Sequence, residues 1–339
     1  MSLLLASENM QDVVVRESLE VSVQGKWTRV PALRVGDDKL IVRGKRLKVA
    51  VVADEDWLEN EISNPDQCLR ALTRNGSTDL HADIFTFTQK PPMTVPQYQY
   101  PMERESVAVV STSSFEDWWK RLPQATRKNV RRAEKRGVTV RACPLDDQLV
   151  KGLVELNNDS QFRQRKTYVH YGKTFDQVKR DQSTFLDRSE FIAAYFGDEL
   201  IGFLKLVYRG EIAAILQFLP KNSHSDKRPA NALLAKAIEL CEAKGISYLT
   251  YGLFNYGHKR DSPLREFKVR NGFYEMLIPR FYVPLTAWGR LCMKLNLHHG
   301  PLGILPEGWI ALGLRVRNNL HSFKQSMSRH SSMVERPGL

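Results

Sequence analysis

The chain has 339 residues, 42% of them hydrophobic and 9% aromatic, about twice the length of a typical domain and ample for packed cores, which excludes a disordered polypeptide. Its formal charge of +12 fits nucleic acid, an anionic membrane face or phosphorylated small molecules as partners, or a plain solvated basic surface. Cys68, Cys143, Cys241 and Cys292 are scattered without a CxxC pair, so neither a zinc site nor a disulfide framework is expected and the compartment reads as reducing.

In chain order, MSLLLASENM carries a short apolar patch without a basic lead, unlike a secretory signal. No run approaches the roughly 18 apolar residues of a membrane span, so a cytoplasmic protein is expected. Residues 10–53 alternate short apolar pieces with glycine and charge, predicting three or four strands with turns at Gly25, Gly36 and Gly44. Helical spacing follows through Trp57, Ile62, Leu69 and Leu72, interrupted at Pro65. Asp79 to Thr88 reads as a strand, the proline-rich 89–101 as a loop, and ESVAVVST after it as another strand. Phe115, Trp118, Trp119 and Leu122 form a helical stripe ending at Pro123. A second helix is predicted from Thr126, with Val130 and Ala133 inward. It crowds Arg127, Lys128, Arg131, Arg132, Lys135 and Arg136 against a single acid, Glu134. That leaves little scope for i,i+4 ion pairs, so the helix is either a solvated linker or an anion-binding face.

After the strand VTVRACP, Leu149, Leu153, Val154 and Leu156 predict a helix, and QFRQRKTYVHYGKTF a loop. The runs FIAAYFG, ELIGFLKLVYRG and EIAAILQFLP predict an antiparallel meander. The third run opens the central stretch, Glu211 to Gly252. It reads as a strand, a polar basic loop, an amphipathic helix through Leu233, Leu234, Ala237, Ile238 and Cys241, a stop at Gly245, and a second strand. This is a βαβ pattern, and its loop opens at a helix N-terminus, where free N–H groups attract anions. Lys221, Lys227 and Arg228 add positive charge there. A short helix about Leu264 to Val269 and a final strand pair follow. From Ala287 onward seven Lys/Arg stand against two Glu. Trp288, Leu291 and Leu295 predict one helix there, and Ile310, Leu314 and Val316 another, each covering the domain or lying on an anionic membrane. No internal repeat is visible.

The element order from about residue 148 resembles that of the GNAT superfamily of acyl-CoA N-acyltransferases. Two stretches, TRKNVRRAEKRGVTVR (126–141) and LREFKVRNGFYEMLIPRFYVPLT (264–286), are similar to segments of its Fem-type branch, the peptidoglycan-bridge aminoacyltransferases. The resemblance covers residues 105–286. It implies a mixed α/β (α+β) sheet flanked by helices, with two acyltransferase-like domains in tandem. These would be a degenerate unit at 1–110, a basic helical linker at 111–140, the acyltransferase unit at 141–286 and a basic helical tail at 287–339. The superfamily's loop for the CoA pyrophosphate is glycine-rich and led by glutamine or arginine. Here the equivalent segment is SDKRPANALL, without glycine.

The activity implied is transfer of an acyl or aminoacyl group to an amine, on a small molecule, a sugar or a cell-envelope precursor. The donor is a CoA thioester, an acyl carrier protein or, as in Fem-type proteins, aminoacyl-tRNA, and no metal is expected. Peripheral membrane contact is expected through 287–325. Such chemistry needs a polarised carbonyl, a stabilised oxyanion and a proton for the leaving group, but no nucleophile motif. Backbone N–H groups on Ile212–Leu219 can hold the donor carbonyl. Lys268, in the family-like FK pair, is the candidate for oxyanion or phosphate, although a helix lysine ordinarily lies at the surface. Tyr251 is the candidate proton donor, with His258 as base and Asn255 as substrate ligand. Gln217, Lys227, Arg228, Ala230 and Asn231 are the candidate donor contacts, and Arg163 and Arg165 the grip on an anionic acceptor. The alternatives are a non-catalytic scaffold of the same fold and a basic nucleic-acid-binding protein.

Overall fold

The computed structural model describes residues 14–23, 25–54, 58, 61–74, 80–163, 166–255 and 262–299. Residues 10–53 supply four strands, β1 (Val14–Val23), β2 (Lys26–Val35), β3 (Asp38–Arg43) and β4 (Val49–Val52). Helix α1 (Pro65–Arg74) begins at Pro65. The proline therefore starts that helix rather than interrupting it, because a first-turn position needs no N–H. Strands β5 (Ile84–Thr88) and β6 (Met102–Ser111) follow, then α2 (Phe115–Arg121), α3 (Gln124–Lys135), β7 (Val138–Cys143) and α4 (Asp147–Asn158). A two-stranded excursion, β8 (Phe162–Arg163) and β9 (Lys166–Thr167), leads to α5 (Phe175–Gln182), a helix not expected from the sequence. The meander is β10 (Ser189–Phe196), β11 (Glu199–Arg209) and β12 (Ile212–Pro220), followed by α6 (Pro229–Ala243), β13 (Tyr248–Leu253) and α7 (Pro263–Arg270). In place of a final strand pair there is one long strand, β14 (Tyr274–Pro284), before α8 (Ala287–Lys294).

Twelve of these strands form one mixed sheet in the order β1-β2-β3-β4-β5-β14-β6-β13-β12-β11-β10-β7. The fold is thus mixed α/β on a large mixed sheet. Reading inward from either edge gives the same arrangement. Four antiparallel strands (β1 to β4, or β7, β10, β11 and β12) end beside a parallel fifth (β5 or β13), reached through a helix (α1 or α6). The sixth strands are exchanged. β6, which follows β5 in the chain, pairs with β13, and β14, which follows β13, pairs with β5. The two then pair with each other and close the sheet.

The cores follow from this layout. Helix α1 covers one face of the first half through Cys68, Ala71 and Leu72 against Leu33, Phe85 and Phe281. Helix α6 buries Leu233, Leu234, Ala237, Ile238 and Cys241, as the three-and-four spacing predicts, against β11, β12 and β13 together with Trp118 of α2. Helices α4 and α5 cover the opposite face of the second half. Helix α8 sits on Asp83 through Gly289, where a Cβ would lie 2.0 Å from the Asp83 carbonyl oxygen. Its other side leaves Trp288, Leu291 and Leu295 exposed, the three residues that predicted the helix. Among the described residues no helix is long and apolar enough to cross a membrane.

Candidate functional site

Strand β12 carries a β-bulge. Ile215 faces Leu206 and Gln217 faces Lys205, so Leu216 is an extra residue and projects outward, 42% exposed. On its other side β12 pairs with β13 only from Ile212–Ala214 to Tyr248–Thr250. Beyond that point β12 continues to Pro220, while β13 turns at Gly252, whose φ is +54°. The two parallel strands therefore part, and a wedge opens inside the sheet at their C-terminal ends, where ligands gather in such sheets. Backbone groups of β12 that a neighbouring strand would otherwise satisfy face this wedge.

On the α6 side the wedge is lined by aromatic rings. Phe218 lies 5.7 Å from Tyr251 and 5.6 Å from Phe267, and Tyr251 lies 6.1 Å from Phe273. Lys268 comes up beneath them from α7. It is fully buried, its Nζ sits 4.6 Å from the centre of the Tyr251 ring, and it donates to the Leu253 carbonyl at 2.6 Å. Burial pulls its pKa down to about 8. Lys268 is therefore no surface residue, and it stands against Tyr251 and the end of β13. Asn255, at the exit of β13, donates to Glu275 Oε1 at 2.8 Å and accepts from Arg265 Nε at 3.0 Å. Arg265, one turn before Lys268 and stacked on Phe254, was not expected from the sequence. His258 lies outside the described residues.

The loop between β12 and α6 is pinned from several directions. Asp159 accepts from Asn222 N at 2.8 Å and from Ser223 Oγ at 3.0 Å, and Glu199 holds Lys221 at 2.5 Å. Arg136, at the end of α3, donates to the Asp226 carbonyl at 2.6 Å. Arg228 takes a left-handed conformation (φ +61°) to start α6, with Pro229 in its first turn. The helix can lie this close to β11 because residue 202 is glycine: a Cβ there would meet Leu233 Cδ1 at 2.9 Å and Pro229 Cβ at 3.3 Å. Ala230 sits in the first turn of α6, where backbone N–H groups lack helical partners. The Lys227 ammonium lies over the Phe196 ring at 4.6 Å, and the Asn231 amide donates to Asn271 at 3.0 Å.

Helix α3 runs beside α6. Arg131 lies over the Trp119 ring at 5.5 Å and Arg136 pairs with Asp226 at 3.1 Å. Among the described residues no ion pair engages Arg127, Lys128, Arg132 or Lys135, and all but the first are exposed.

Gln217 projects to the other face of the sheet, away from Lys268. It accepts from Gln182 Nε2 at 2.6 Å and hydrogen-bonds Tyr168. The same face holds Lys205, whose Nζ donates to the Gln182 and Thr184 carbonyls at 2.8 and 2.7 Å and so caps the C-terminal end of α5. Burial brings its pKa down to about 8. Asp181 collects Trp27 Nε1 at 2.9 Å and Lys173 Nζ at 2.5 Å. Burial pushes its carboxyl up, but hydrogen bonds from His170, Lys173 and Trp27 outweigh that and hold it at about 2. Arg163 donates to the Pro220 carbonyl at 3.2 Å, at the exit of β12, while its Nε and Nη2 are buried without a hydrogen bond. Arg165 lies outside the described residues.

Glu103, His298 and His299 are a group of side chains with metal-ligand character, their ligand atoms within 4.8 Å of one another. They stand beside β14 rather than between β12 and β13, and the two imidazoles already hydrogen-bond the carboxylate at 2.9 and 3.1 Å.

Residues 121–260, which hold the meander, the bulged strand, the wedge and α6, match the acetyltransferase (GNAT) domain family. That segment is similar to a GNAT domain. Solved structures share the fold well beyond that segment. The C-terminal domain of an Agrobacterium fabrum protein assigned as a lysylphosphatidylglycerol synthetase superposes with a TM-score of 0.52 at 13% identity, over 76% of this chain and 84% of that one. A protein of unknown function from Bacteroides thetaiotaomicron gives 0.50 at 10% identity, over 75% and 85%. FemX gives 0.49 at 12% identity, over 83% and 90%. No curated protein matches the sequence. Gln217 belongs to the face away from the aromatic lining, while Tyr251, within the matched segment, and Lys268, just beyond it, meet at the wedge.

Proposed function

We propose that this chain is an N-acyltransferase that receives an activated acyl or aminoacyl group in the β12–β13 wedge and passes it to an amine. The observation that carries this reading is the buried Lys268 ammonium against Tyr251 and the end of β13. The donor carbonyl lies against β12 beyond the bulge, on free backbone N–H groups. The amine nitrogen attacks the carbonyl carbon and the C–O or C–S bond breaks. The nitrogen gives up one proton, the leaving oxygen or sulfur takes one up, and nothing is oxidised or reduced. Lys268 stabilises the oxyanion in a site shielded from water, and the Tyr251 hydroxyl supplies the leaving group's proton.

Coenzyme A fits the donor loop poorly. No glycine occurs between β12 and α6, Pro229 removes one N–H from the anion-binding turn, Lys227 is turned onto Phe196, and the Asn231 amide is engaged by Asn271. The unpaired cations of α3 beside that loop suit a polyanion instead, so aminoacyl-tRNA, the donor of the Fem-type enzymes, is the favoured donor. The name of the Agrobacterium relative belongs to the same reaction class. Arg163, at the exit of β12, is already balanced by Asp159 at 3.7 Å and lies over the Tyr168 ring, so an anionic group on the acceptor would have to share it. Amine-dependent discharge of the donor, compared between the wild type and Lys268→Met, tests the site. The variant should lose two to three orders of magnitude, on the order of a removed oxyanion donor. Unchanged discharge by the variant would remove Lys268 from the chemistry.

A further inference from the structure

Glu103, His298 and His299 carry a chemistry that the acyl-transfer reading does not use. Glu103 is the second residue of β6 and faces Arg280 of β14 in the pairing register. His298 and His299 lie in the short turn Leu297–His299 that follows α8. Helix α8 is itself fixed to the sheet. Thr286 caps it and donates to Asp83 Oδ1 at 2.8 Å, and Gly289 packs against the Asp83 carbonyl. The turn is thereby brought to the start of β6, 195 residues earlier in the chain.

Three potential ligand atoms converge there. His298 Nε2 lies 2.9 Å and His299 Nε2 3.1 Å from Glu103 Oε1, and His299 Nε2 is also 2.9 Å from Oε2. The ligand atoms of the three residues stand within 4.8 Å of one another. Such a triangle leaves a point no more than about 2.5 Å from every corner, a few tenths of an ångström from the ~2.0–2.2 Å of Zn–N and Zn–O bonds. Two imidazoles and one carboxylate are also the set that holds zinc with a fourth position open. The His298 side chain is 3% exposed, whereas those of His299 and Glu103 are 42% and 43% exposed. The group therefore has a buried floor and an outer side open to a water ligand. Without metal, the imidazoles share the carboxylate through their Nε2 protons; with metal, the protons stand on Nδ1. The buried His298 Nδ1 has no hydrogen-bond partner, which costs an acceptor in the first state and a donor in the second, and so favours neither.

We infer that Glu103, His298 and His299 bind one divalent transition-metal ion of the zinc class through both Nε2 atoms and the Glu103 carboxylate. The metal fastens the turn after α8 to the start of β6, and because it binds only the folded chain it stabilises the fold. The expectation of no metal came from cysteine spacing and from the family resemblance. Two adjacent histidines far along the chain from their acid show no ligand spacing. Full-length protein stripped with a chelator, then titrated with Zn²⁺ in a calorimeter and with Co²⁺ by visible absorption, tests this. One equivalent of each should bind saturably, and Zn²⁺ should raise the melting temperature. Glu103→Gln keeps an oxygen that can accept from an imidazole but removes the negative charge. It should fold as the wild type does, weaken binding at least about tenfold and lose the rise in melting temperature. His299→Ala, at an exposed position, should do the same. The inference is overturned if neither metal binds saturably, or if either variant binds as tightly as the wild type.

Discussion

Lys268 joins the stability of the fold to the proposed chemistry. In the unfolded chain a lysine keeps its proton up to about pH 10.4, whereas folded Lys268 releases it at about 8. Between those values the unfolded state binds more protons, so the folded state gains stability as pH rises, and below about pH 8 that gain is absent. Oxyanion stabilisation requires the charged form and runs the other way. Urea melts should therefore show the wild type gaining on Lys268→Met from pH 8 to pH 10, while turnover falls over the same range. A stability difference that stays flat with pH would mean that Lys268 is solvated. The FK pair drew attention to this residue, but its burial was not legible. Burial depends on Tyr251 standing over it from β13, and a helical lysine in an eight-residue segment carries no such signal. The facing of Gln217 was not legible for a related reason. The bulge at Leu216 shifts the alternation of β12 by one residue, so the side of the sheet that Gln217 faces could not be counted from the sequence.

At the scale of elements, the helices with apolar spacing were legible and the polar ones were not. Helix α6 shows its buried stripe at three-and-four intervals, whereas α5 reads FDQVKRDQ and buries only Val178 and Gln182. A Thr174–Gln177 capping box and the Lys205 cap hold it in place. The basic helix α3 was legible in both respects, as an element and as a concentration of charge, because a single acid, Glu134, stands among its cations. The role proposed for it rests on its place beside the loop between β12 and α6. Reversing Arg131 and Arg132 to glutamate should raise the KM for aminoacyl-tRNA at least tenfold and flatten its salt dependence, since counterion release scales with the phosphate contacts made. The KM for the amine should stay unchanged. Equal effects on both substrates would instead point to a damaged fold.

At the scale of the molecule, the two halves share their central strands. Because β6 and β14 are exchanged, each half needs a strand from the far part of the chain to complete its sheet. Nothing local records this. The same four-plus-one strand pattern runs from both edges, yet no repeat is visible in the residues. Strand exchange is a long-range pairing that only the complete sheet specifies. One cooperative calorimetric transition is expected for the described body, with residues 1–110 alone failing to fold for want of β14. Two resolved transitions would contradict the shared core.

The same arrangement leaves the β12–β13 wedge in the second half of the sheet, with the basic helix packed beside α6, and the choice of donor is the central proposal resting on it. Single-turnover transfer from aminoacyl-tRNA and from acetyl-CoA, measured side by side with a panel of amines at one salt concentration, tests it most directly. Amine-dependent consumption of the tRNA ester, with acetyl-CoA left intact, is the result expected. Turnover of acetyl-CoA with the tRNA ester untouched would contradict it.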